Sequence, residues 1–519
     1  MVILQLSLPI SMDLQKNGAI NGSARIRRKR TSKFHCTLPP RLFISNSQQP
    51  QYPNLLFPST NQSVAAIVLE DGSRSKLYPL TKKISEGAIP IAANYRLVDA
   101  VVSNCINSNI NRIYALTQFN STSLNSHLSR AYAVQGLGKE GFVEVITAYQ
   151  SLEDDDWFQG AADAVRRCLW LMEEYPVTEF LILPGHHLYK MDYQKIIEAH
   201  RNSRADMTIA ALSAGREQDP NFGILRLNSE NQVLEFRLKS DSEPITFVSV
   251  GFPPSSALLK FYSFWGSSLR MFTSEIQEES PMKCNDIAYR EFSSMGIYVI
   301  NRDIMVKLLR EHFPKANDFA SEVIPGAISL GMKVQAFLFD GYWEDMRSIE
   351  AFYLANMEST KKADMAFNSF FDKKSPIYTL PRVLPPTHVT DAIIIDSVIG
   401  DGCILGRCKI KGTVVGMKTR IGDGAVIEDS VIMGSDIYQM EDIQRSGVDR
   451  KGLDIPIGIG EDTQIRKAII DKNARIGRNV LIINKDSVRE GNSEANGYMI
   501  SEGIVVVLHS AVIPNGSII

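Results

Sequence analysis

Residues 70–76 are the part of the chain whose residue types bear most directly on chemistry. The apolar run 65–69 predicts a strand, and a turn directly after such a strand is where a nucleotide-binding α/β domain holds phosphates. Such turns need glycine, because backbone amides must approach the phosphate oxygens closely. Here Gly72 is accompanied by two acids, Glu70 and Asp71, that face the position of a triphosphate. The segment therefore predicts a nucleotide-type fold with impaired nucleotide chemistry; a plain surface turn is the alternative interpretation.

The elements that position this turn are strands alternating with helices between residues 64 and 345. The β-rich runs are residues 67–69, 112–116, 180–184, 207–212, 296–300 and 334–339, and helical stretches include residues 161–174 and 193–202. This alternation indicates a mostly parallel, Rossmann-like α/β sheet. Ligands of such sheets bind beyond the C-terminal ends of the strands. The loops after Leu69 and Leu183 are therefore predicted to border one cleft.

The pattern changes after residues 375–390, which contain four prolines and no periodicity and predict a linker. Beyond the linker, aliphatic residues recur every six positions, at Ile393, Ile399 and Leu405, at Val415, Ile421, Ile427 and Met433, and at Ile470, Ile476 and Ile482. This period predicts a parallel β-helix over residues 391–519, in which each short strand points one aliphatic side chain inward. An ordinary antiparallel domain is the alternative. The predicted organisation is a leader at 1–60, an α/β domain at 61–374, the linker and the β-helix.

Composition and charge restrict the partners. The net charge of −2 gives no reason to expect nucleic acid, and no apolar run approaches the ~18–20 residues of a membrane helix. Residues 1–60 carry eight Lys or Arg residues and one acid, Asp13, which predicts a transit peptide. A disordered basic tail or a nuclear signal at residues 25–30 is the alternative. The six cysteines form no CxxC pair, so neither a zinc site nor a redox motif is indicated.

Several strings resemble the plant family of ADP-glucose pyrophosphorylase small subunits. They include ANYRLVDA (93–100), WFQGAADAVR (157–166), YWEDM (342–346), IPIGIG (455–460) and IIDKNARIG (469–477), and the likeness spans nearly all of residues 63–519. The resemblance implies a nucleotidyltransferase domain followed by a left-handed β-helix. It implies the conversion of ATP and glucose 1-phosphate into ADP-glucose and pyrophosphate for starch biosynthesis, with Mg²⁺. It also implies a heterotetramer of large and small subunits in the chloroplast stroma, with 3-phosphoglycerate as effector.

On the nucleotide side, the chain departs from the family pattern. Glu70, Asp71 and Arg74 replace glycines, Lys76 replaces an arginine, and Glu86 replaces a lysine. A unit charge about 4 Å from a phosphate is worth about 1 kcal/mol in water and about 4 kcal/mol at an effective dielectric constant of 20. The acids are therefore expected to oppose triphosphate binding. The resemblance assigns to this side Gly72, Lys76, Gln118, Gly160 and Asp163.

The metal position is altered as well. The resemblance makes Asp345 one metal-binding carboxylate and places His186 where the family has the other, an aspartate. A neutral imidazole offers Mg²⁺ neither a hard oxygen nor a negative charge, so Mg²⁺ binding is expected to be impaired. A zinc site at His186 and His187 is not expected either, because neighbouring residues of one segment do not readily bring two ligands to one ion.

The sugar-phosphate side matches the family better. The resemblance gives Lys239 the catalytic contact with the phosphate of glucose 1-phosphate, and it makes Ser294, Tyr298, Asp318, Phe319 and Trp343 line that pocket. Around it, Leu238, Ser240 and Arg347 replace an acid, a proline and a glycine. Lys472 and Lys83 match an effector site.

Two segments fall outside the family pattern. The intersubunit cysteine of the family aligns near Leu55, so its redox switch is not expected. Residues 241–290 are longer than the family segment and represent either an insertion or an error of the gene model.

These residues leave two main hypotheses and one lesser one. The first is a non-catalytic small subunit that assembles with partner subunits and modulates them, motivated by the combined changes at Glu70, Asp71, Arg74, Glu86 and His186. The alternative is an active ADP-glucose pyrophosphorylase with a rearranged nucleotide site, since Asp345 and Lys239 are kept. A different nucleotidyl or sugar-phosphate specificity is the third.

Overall fold

The computed structural model describes residues 63–70, 77–132, 137, 141–148, 157–213, 223–238, 290–361, 370, 372–438 and 455–519. Predictions for several positions lie outside the described residues, namely those for residues 1–60, Asp71, Gly72, Arg74, Lys76, Lys239, Ser240 and 241–289.

The first domain contains most of the long strands. Its strands are β1 (Val64–Glu70), β2 (Pro90–Ile91), β3 (Tyr95–Arg96), β4 (Arg112–Thr117), β5 (Phe142–Thr147), β6 (Glu179–Pro184), β7 (His187–Tyr189), β8 (Met207–Ser213), β9 (Ile224–Leu227), β10 (Val233–Arg237), β11 (Arg290–Asn301), β12 (Val334–Leu338) and β13 (Trp343–Asp345). Among the described residues, nine of them form one sheet in the order β10-β9-β11-β6-β1-β4-β5, with β8 beside β11 and β12 beside β8. Strands β6, β1, β4 and β5 are mutually parallel, as are β8 and β12.

Helices cover both faces of this sheet. They are α1 (Leu97–Asn107), α2 (Thr122–Ala131), α3 (Ala161–Met172), α4 (Tyr193–Ser203), α5 (Arg302–Val306), α6 (Ile324–Ser329) and α7 (Ile349–Ser359). Alternate residues of β1 pack in different cores, Ile67 against α3 and Val68 against α1, α2 and α4. Both faces of β1 are therefore buried, which explains its continuous apolar run.

The α/β prediction is confirmed, with two additions. Strand β11 runs antiparallel to β6, β8 and β9, a pairing that the apolar run itself does not indicate. Strand β1 continues through Glu70, whose Cα pairs with that of Thr117, so the prediction that Glu70 begins the turn is wrong.

The second domain is a parallel β-helix. Its first sheet contains His388–Val389, Ile404–Leu405, Arg420–Ile421, Gly458–Ile459, Arg475–Ile476 and Val512–Ile513. Its second sheet contains Ile393–Ile395, Lys409–Lys411, Val426–Glu428, Gln464–Arg466 and Leu481–Ile482. Its third sheet contains Val398–Ile399, Val414–Val415, Val431–Ile432, Ala468–Ile470 and Ile504–Val507, followed at its edge by the antiparallel strands Tyr498–Ser501 and Gly491–Ser493. The strand His388–Val389 lies within the segment predicted as a linker.

The six-residue period identifies most inward positions correctly. Val415, Ile421, Ile427, Met433, Ile470, Ile476 and Ile482 are all buried. Ile393 is the exception: it pairs with Lys409 in an outward column and is 59% exposed, whereas Ile394 continues the inward column of Ile410. The prediction that Ile393 points inward is therefore wrong by one residue. Since the coil that contains it is the first of the stack, the column has no earlier strand to confirm its register.

Helix α7 joins the two domains through a common core. Phe352 of α7 packs in one buried cluster with Val431 and Val506 of the third sheet. The Tyr353 hydroxyl donates to the Asp429 carbonyl oxygen at 2.7 Å. Because α7 follows β13 closely, the β-helix is fixed to the part of the chain that carries Asp345. None of the described helices is long and apolar enough to cross a membrane.

Candidate functional site

Two short strands bring the candidate metal-binding residues together. Strands β7 and β13 pair antiparallel, with His187 opposite Asp345. His186 Nε2 lies 3.7 Å from Asp345 Oδ1, and His187 Nε2 lies 3.9 Å from the same oxygen. Ligand atoms of the three residues all lie within 4.8 Å of one another. This proximity contradicts the expectation that the neighbouring histidines do not bring two ligand atoms to one place.

The same residues do not fit a Mg²⁺ ion. Arg347 Nε donates to both oxygens of Asp345, at 3.0 and 2.9 Å, and Arg347 Nη2 donates to Oδ2 at 2.6 Å. Trp343 Nε1 donates to His187 Nδ1 at 3.2 Å, so a neutral His187 carries its proton on Nε2, the atom that faces Asp345. The carboxylate is thus surrounded by donors, and His187 lacks the lone pair that a metal would need at that atom.

Burial and neighbouring charges set the protonation of this cluster. Complete burial, reinforced by the nearby His186, lowers the pKa of His187 well below its ordinary value, so His187 is neutral at pH 7. Burial alone would raise the pKa of Asp345, but His187, His186 and the hydrogen-bonded Arg347 guanidinium together lower it. A neutral His187 adds no positive charge at Asp345, whereas the Arg347 guanidinium is always charged.

A second acid approaches the cluster from the opposite side. Glu86 begins a short 3₁₀ helix, Glu86–Ala88, and its side chain is 2% exposed. Glu86 Oε2 lies 3.5 Å from His186 Nδ1. Glu86, His186, Asp345 and Arg347 therefore form a continuous series of neighbours, called here the cleft row, in which only Asp345 is partly exposed. In this row Glu86, expected to oppose phosphate, turns towards an imidazole.

Glu70 occupies a notch at the end of β1. It is 6% exposed, and its Oε2 accepts a hydrogen bond from the Gly87 amide at 3.0 Å. A Cβ atom added to Gly87 would lie 2.1 Å from Glu70 Oε1, and one added to Gly185 would lie 2.0 Å from it. The carboxylate thus fills a space that two glycines leave open. It lies inside the protein, beside Gly87 and beside Gly185, which directly follows β6.

The amino end of α3 carries two of the residues assigned to the nucleotide side. The Asn317 carbonyl oxygen accepts from the Ala162 amide at 2.9 Å and lies 2.5 Å from a Cβ built on Gly160. Asp163 forms ion pairs with Arg166 at 2.5 Å and Arg167 at 3.1 Å. The chain segment at Asn317 therefore covers this helix end, and Asp163 is engaged within its own helix.

The residues assigned to the sugar-phosphate side mostly pack in the core or accept hydrogen bonds from nearby backbone amides. The Tyr298 and Phe319 rings lie 6.1 Å apart in the core. Asp318 accepts from the Ser321 amide and hydroxyl, and Ser294 Oγ accepts from the Gly296 amide. Trp343 belongs instead to the histidine cluster, 5.0 Å from the His187 ring.

Three further predicted residues lie elsewhere. Gln118 is 7% exposed and directly follows β4. Lys472 lies in the β-helix, where its Nζ contacts Asp436 Oδ1 at 2.8 Å. Burial opposes ionisation of Asp436, but Lys472, Asn473 and His509 lower its pKa below the usual value. Lys83 is exposed.

The role of Arg347 is what sequence reasoning missed. By sequence, Arg347 is grouped with the changes near the sugar-phosphate side, whereas the structure pairs it with Asp345. The available signal is proximity in the sequence, because two residues of opposite charge that are two positions apart can pair locally.

Comparison with known proteins agrees with this architecture. Residues 65–362 match the nucleotidyl transferase family model, and residues 382–518 match the GLGC left-handed parallel β-helix domain. A relative from Arabidopsis thaliana, named inactive glucose-1-phosphate adenylyltransferase small subunit 2, chloroplastic, is 56% identical over 481 residues, which cover 92% of each chain. A relative from Triticum aestivum, named glucose-1-phosphate adenylyltransferase small subunit, chloroplastic/amyloplastic, is 50% identical over 466 residues, 89% of this chain and 93% of that protein.

Fold and site together define a nucleotidyltransferase-type domain joined to a left-handed β-helix. The chain belongs to the family of plant glucose-1-phosphate adenylyltransferase small subunits, also called ADP-glucose pyrophosphorylase small subunits. The predicted family and the predicted handedness of the β-helix are confirmed.

Proposed function

We propose that this chain is a non-catalytic small subunit of ADP-glucose pyrophosphorylase, which acts by assembling with catalytic subunits in the plastid. The observation that carries the proposal is the cleft row, in which the residues at the metal positions contact one another. Adenylyl transfer brings two phosphate anions together and depends on positive charge placed around them, chiefly Mg²⁺. Because the residues at the metal positions contact one another within the row, they do not offer a site for that Mg²⁺.

The relatives support the same conclusion. The Arabidopsis thaliana protein, which is 56% identical to this chain, carries the word inactive in its name, whereas the Triticum aestivum protein does not. Both names place those proteins in the chloroplast or amyloplast, and residues 1–60 of this chain have the composition of a transit peptide. We therefore assign this chain to the plastid stroma.

The proposed contribution of the chain is structural and regulatory. The β-helix keeps its buried aliphatic columns, and such solenoids commonly supply contacts between subunits. We propose a heterotetramer with large and small subunits, in which glucose 1-phosphate and 3-phosphoglycerate bind better than ATP with Mg²⁺.

The direct test is an assay of ADP-glucose synthesis. The purified chain is measured alone and with a large subunit, and the Triticum aestivum relative serves as the active control. Since the metal position alone is expected to account for orders of magnitude, we expect a rate at least about 1,000-fold below the control. A rate close to the control from the chain alone would overturn the proposal and establish the alternative, an active enzyme with a rearranged nucleotide site.

Calorimetric titration measures ligand binding on the nucleotide side and on the sugar-phosphate side separately. The expected result is weak or undetectable binding of ATP with Mg²⁺ and measurable binding of glucose 1-phosphate. Tight binding of ATP with Mg²⁺ would contradict the proposal that contacts within the cleft row remove the metal site.

A further inference from the structure

We infer that Arg347 is a built-in counter-cation, which occupies the Asp345 carboxylate and keeps divalent cations away from it. Loss of metal binding then depends on two positions, 347 as well as 186. This inference deepens the proposed function and rests on it.

The ion pair has the geometry of a strong one. Arg347 Nε lies 3.0 and 2.9 Å from the two Asp345 oxygens, and Nη2 lies 2.6 Å from Oδ2. The side chains are 10% and 17% exposed. A planar guanidinium that donates through two nitrogens to one carboxylate gains both charge and directionality, and removing either partner of a buried pair is costly. Arg347 is therefore not easily displaced.

A divalent cation would compete with this pair unfavourably. Mg²⁺ binds carboxylate oxygens directly and prefers octahedral oxygen coordination, yet both oxygens of Asp345 already accept from Arg347. A cation that shared the carboxylate would also lie close to the guanidinium, and like charges repel strongly where solvent is excluded. His187 turns a further N–H towards the same carboxylate.

One consequence concerns reversal of the metal position. His186 Nε2 lies 3.7 Å from Asp345 Oδ1, so an aspartate at position 186 would place a second carboxylate within reach of the guanidinium. Arg347 would then be held by two acids rather than one. His186→Asp alone is therefore expected to strengthen the internal pair and not to create a metal site.

The experiment measures Mn²⁺ binding by the full chain, using the electron paramagnetic resonance signal of unbound Mn²⁺. The proteins are the wild type, H186D, R347Q, H186D/R347Q and H186D/R347K. Glutamine removes the charge and keeps a polar but shorter side chain, and lysine keeps the charge without the bidentate fork. We expect H186D/R347Q to bind Mn²⁺ at least about tenfold more tightly than either single variant, and H186D/R347K to remain close to H186D.

Each other outcome is decisive. If H186D/R347Q binds Mn²⁺ no more tightly than H186D, Arg347 does not keep cations away from the Asp345 carboxylate. That result leaves the proposed function intact, because the wild type still lacks a metal site. Wild-type protein that binds Mn²⁺ tightly and makes ADP-glucose would overturn both.

Two controls keep the comparison interpretable. Near-ultraviolet circular dichroism and thermal unfolding check that each variant is folded. Should H186D/R347Q not fold, H186D/R347K still tests the role of the positive charge, because Mn²⁺ binding much tighter than that of H186D would contradict the inference. Adding Asp345→Asn to the double variant should abolish its Mn²⁺ binding; if binding persists, the ion lies elsewhere and the inference fails.

Discussion

The β-helix and the cleft use buried positions in opposite ways. In the β-helix, each inward column repeats one kind of residue from coil to coil, as in Ile410, Ile427, Ile465 and Ile482. In the cleft, each buried residue differs from its neighbour and contacts it through a polar atom, as in Glu86, His186 and Asp345. The difference matches the proposed function, which needs a repetitive scaffold and a cleft whose polar groups contact one another.

The largest effect is expected in the β-helix. Ile427 is fully buried between Ile410 and Ile465 of the adjacent coils. Ile427→Ala should lower the free energy of unfolding by about 2–5 kcal/mol, since it removes apolar contacts and leaves a cavity. Urea unfolding measures the loss. Ile404→Ala, at a 44% exposed position, is the control and should cost much less; equal losses would mean that the columns do not carry the stability.

The second prediction concerns the notch around Glu70 and sharpens the contrast with the repetitive core. Gly87→Ala places a Cβ 2.1 Å from Glu70 Oε1 and should destabilise the protein by about 1–3 kcal/mol. In a Glu70→Gly background the same substitution should cost little, because the obstructing carboxylate is gone. A double-mutant cycle in urea should give a coupling of at least about 1 kcal/mol. Additive effects would show that the two positions are independent.

The third prediction concerns pH in the first domain. Burial lowers the pKa of His200, outweighing the hydrogen bond with Asn301, and the ring also contacts Thr208 Oγ1 at 2.8 Å. The unfolded chain therefore binds a proton near pH 6.5, where folded His200 does not. Its stabilising contribution is complete above that pH and is lost as the pH falls through the folded pKa.

Comparing wild type with His200→Gln isolates this contribution. Thermal unfolding from pH 8 to pH 5 should show a smaller acid-induced loss in the variant. An identical slope for both proteins would contradict the assignment.

The smallest effect is expected at Lys472. Its partner Asp436 is 51% exposed, and ion pairs near the surface contribute little. Lys472→Ala should change the free energy of unfolding by less than about 1 kcal/mol, while weakening 3-phosphoglycerate binding if the proposed effector site exists. Lys82→Ala, which removes a surface pair with Glu494, is the matched control for the loss of charge. A large loss of stability on Lys472→Ala would mean that this residue is structural.

The sequence predicts features that depend on short-range periodicity. Strands such as β4 and β6 and the inward residues Ile421 and Ile476 follow from local patterns, because alternation and a six-residue period are visible without any partner strand. The antiparallel direction of β11 does not follow, since it is decided by which strands lie beside it. The register of Ile393 fails for the same reason, at the end of the stack.

The sequence predicts which positions of the candidate site are altered, but it does not predict how their side chains contact one another. The residue types at Glu70, Glu86 and His186 indicate that phosphate and metal binding are impaired. Their contacts with Gly87, Asp345 and each other depend on four separate segments meeting near the C-terminal ends of β1 and β6, which no local pattern encodes. The pairing of Asp345 with Arg347 lies between these cases, because the two oppositely charged residues are only two positions apart in the sequence.

The alternation along the cleft row has an evolutionary consequence. Carboxylate, imidazole, carboxylate and guanidinium follow one another from Glu86 to Arg347, so each acid has a nitrogen-bearing neighbour. Reverting Glu86 or Arg347 alone removes a contact of a neighbouring residue, and reverting His186 alone is expected to strengthen the pair of Asp345 with Arg347 without creating a metal site. A return to metal-dependent chemistry therefore needs more than one substitution. Selection that acts on one substitution at a time then favours keeping the row.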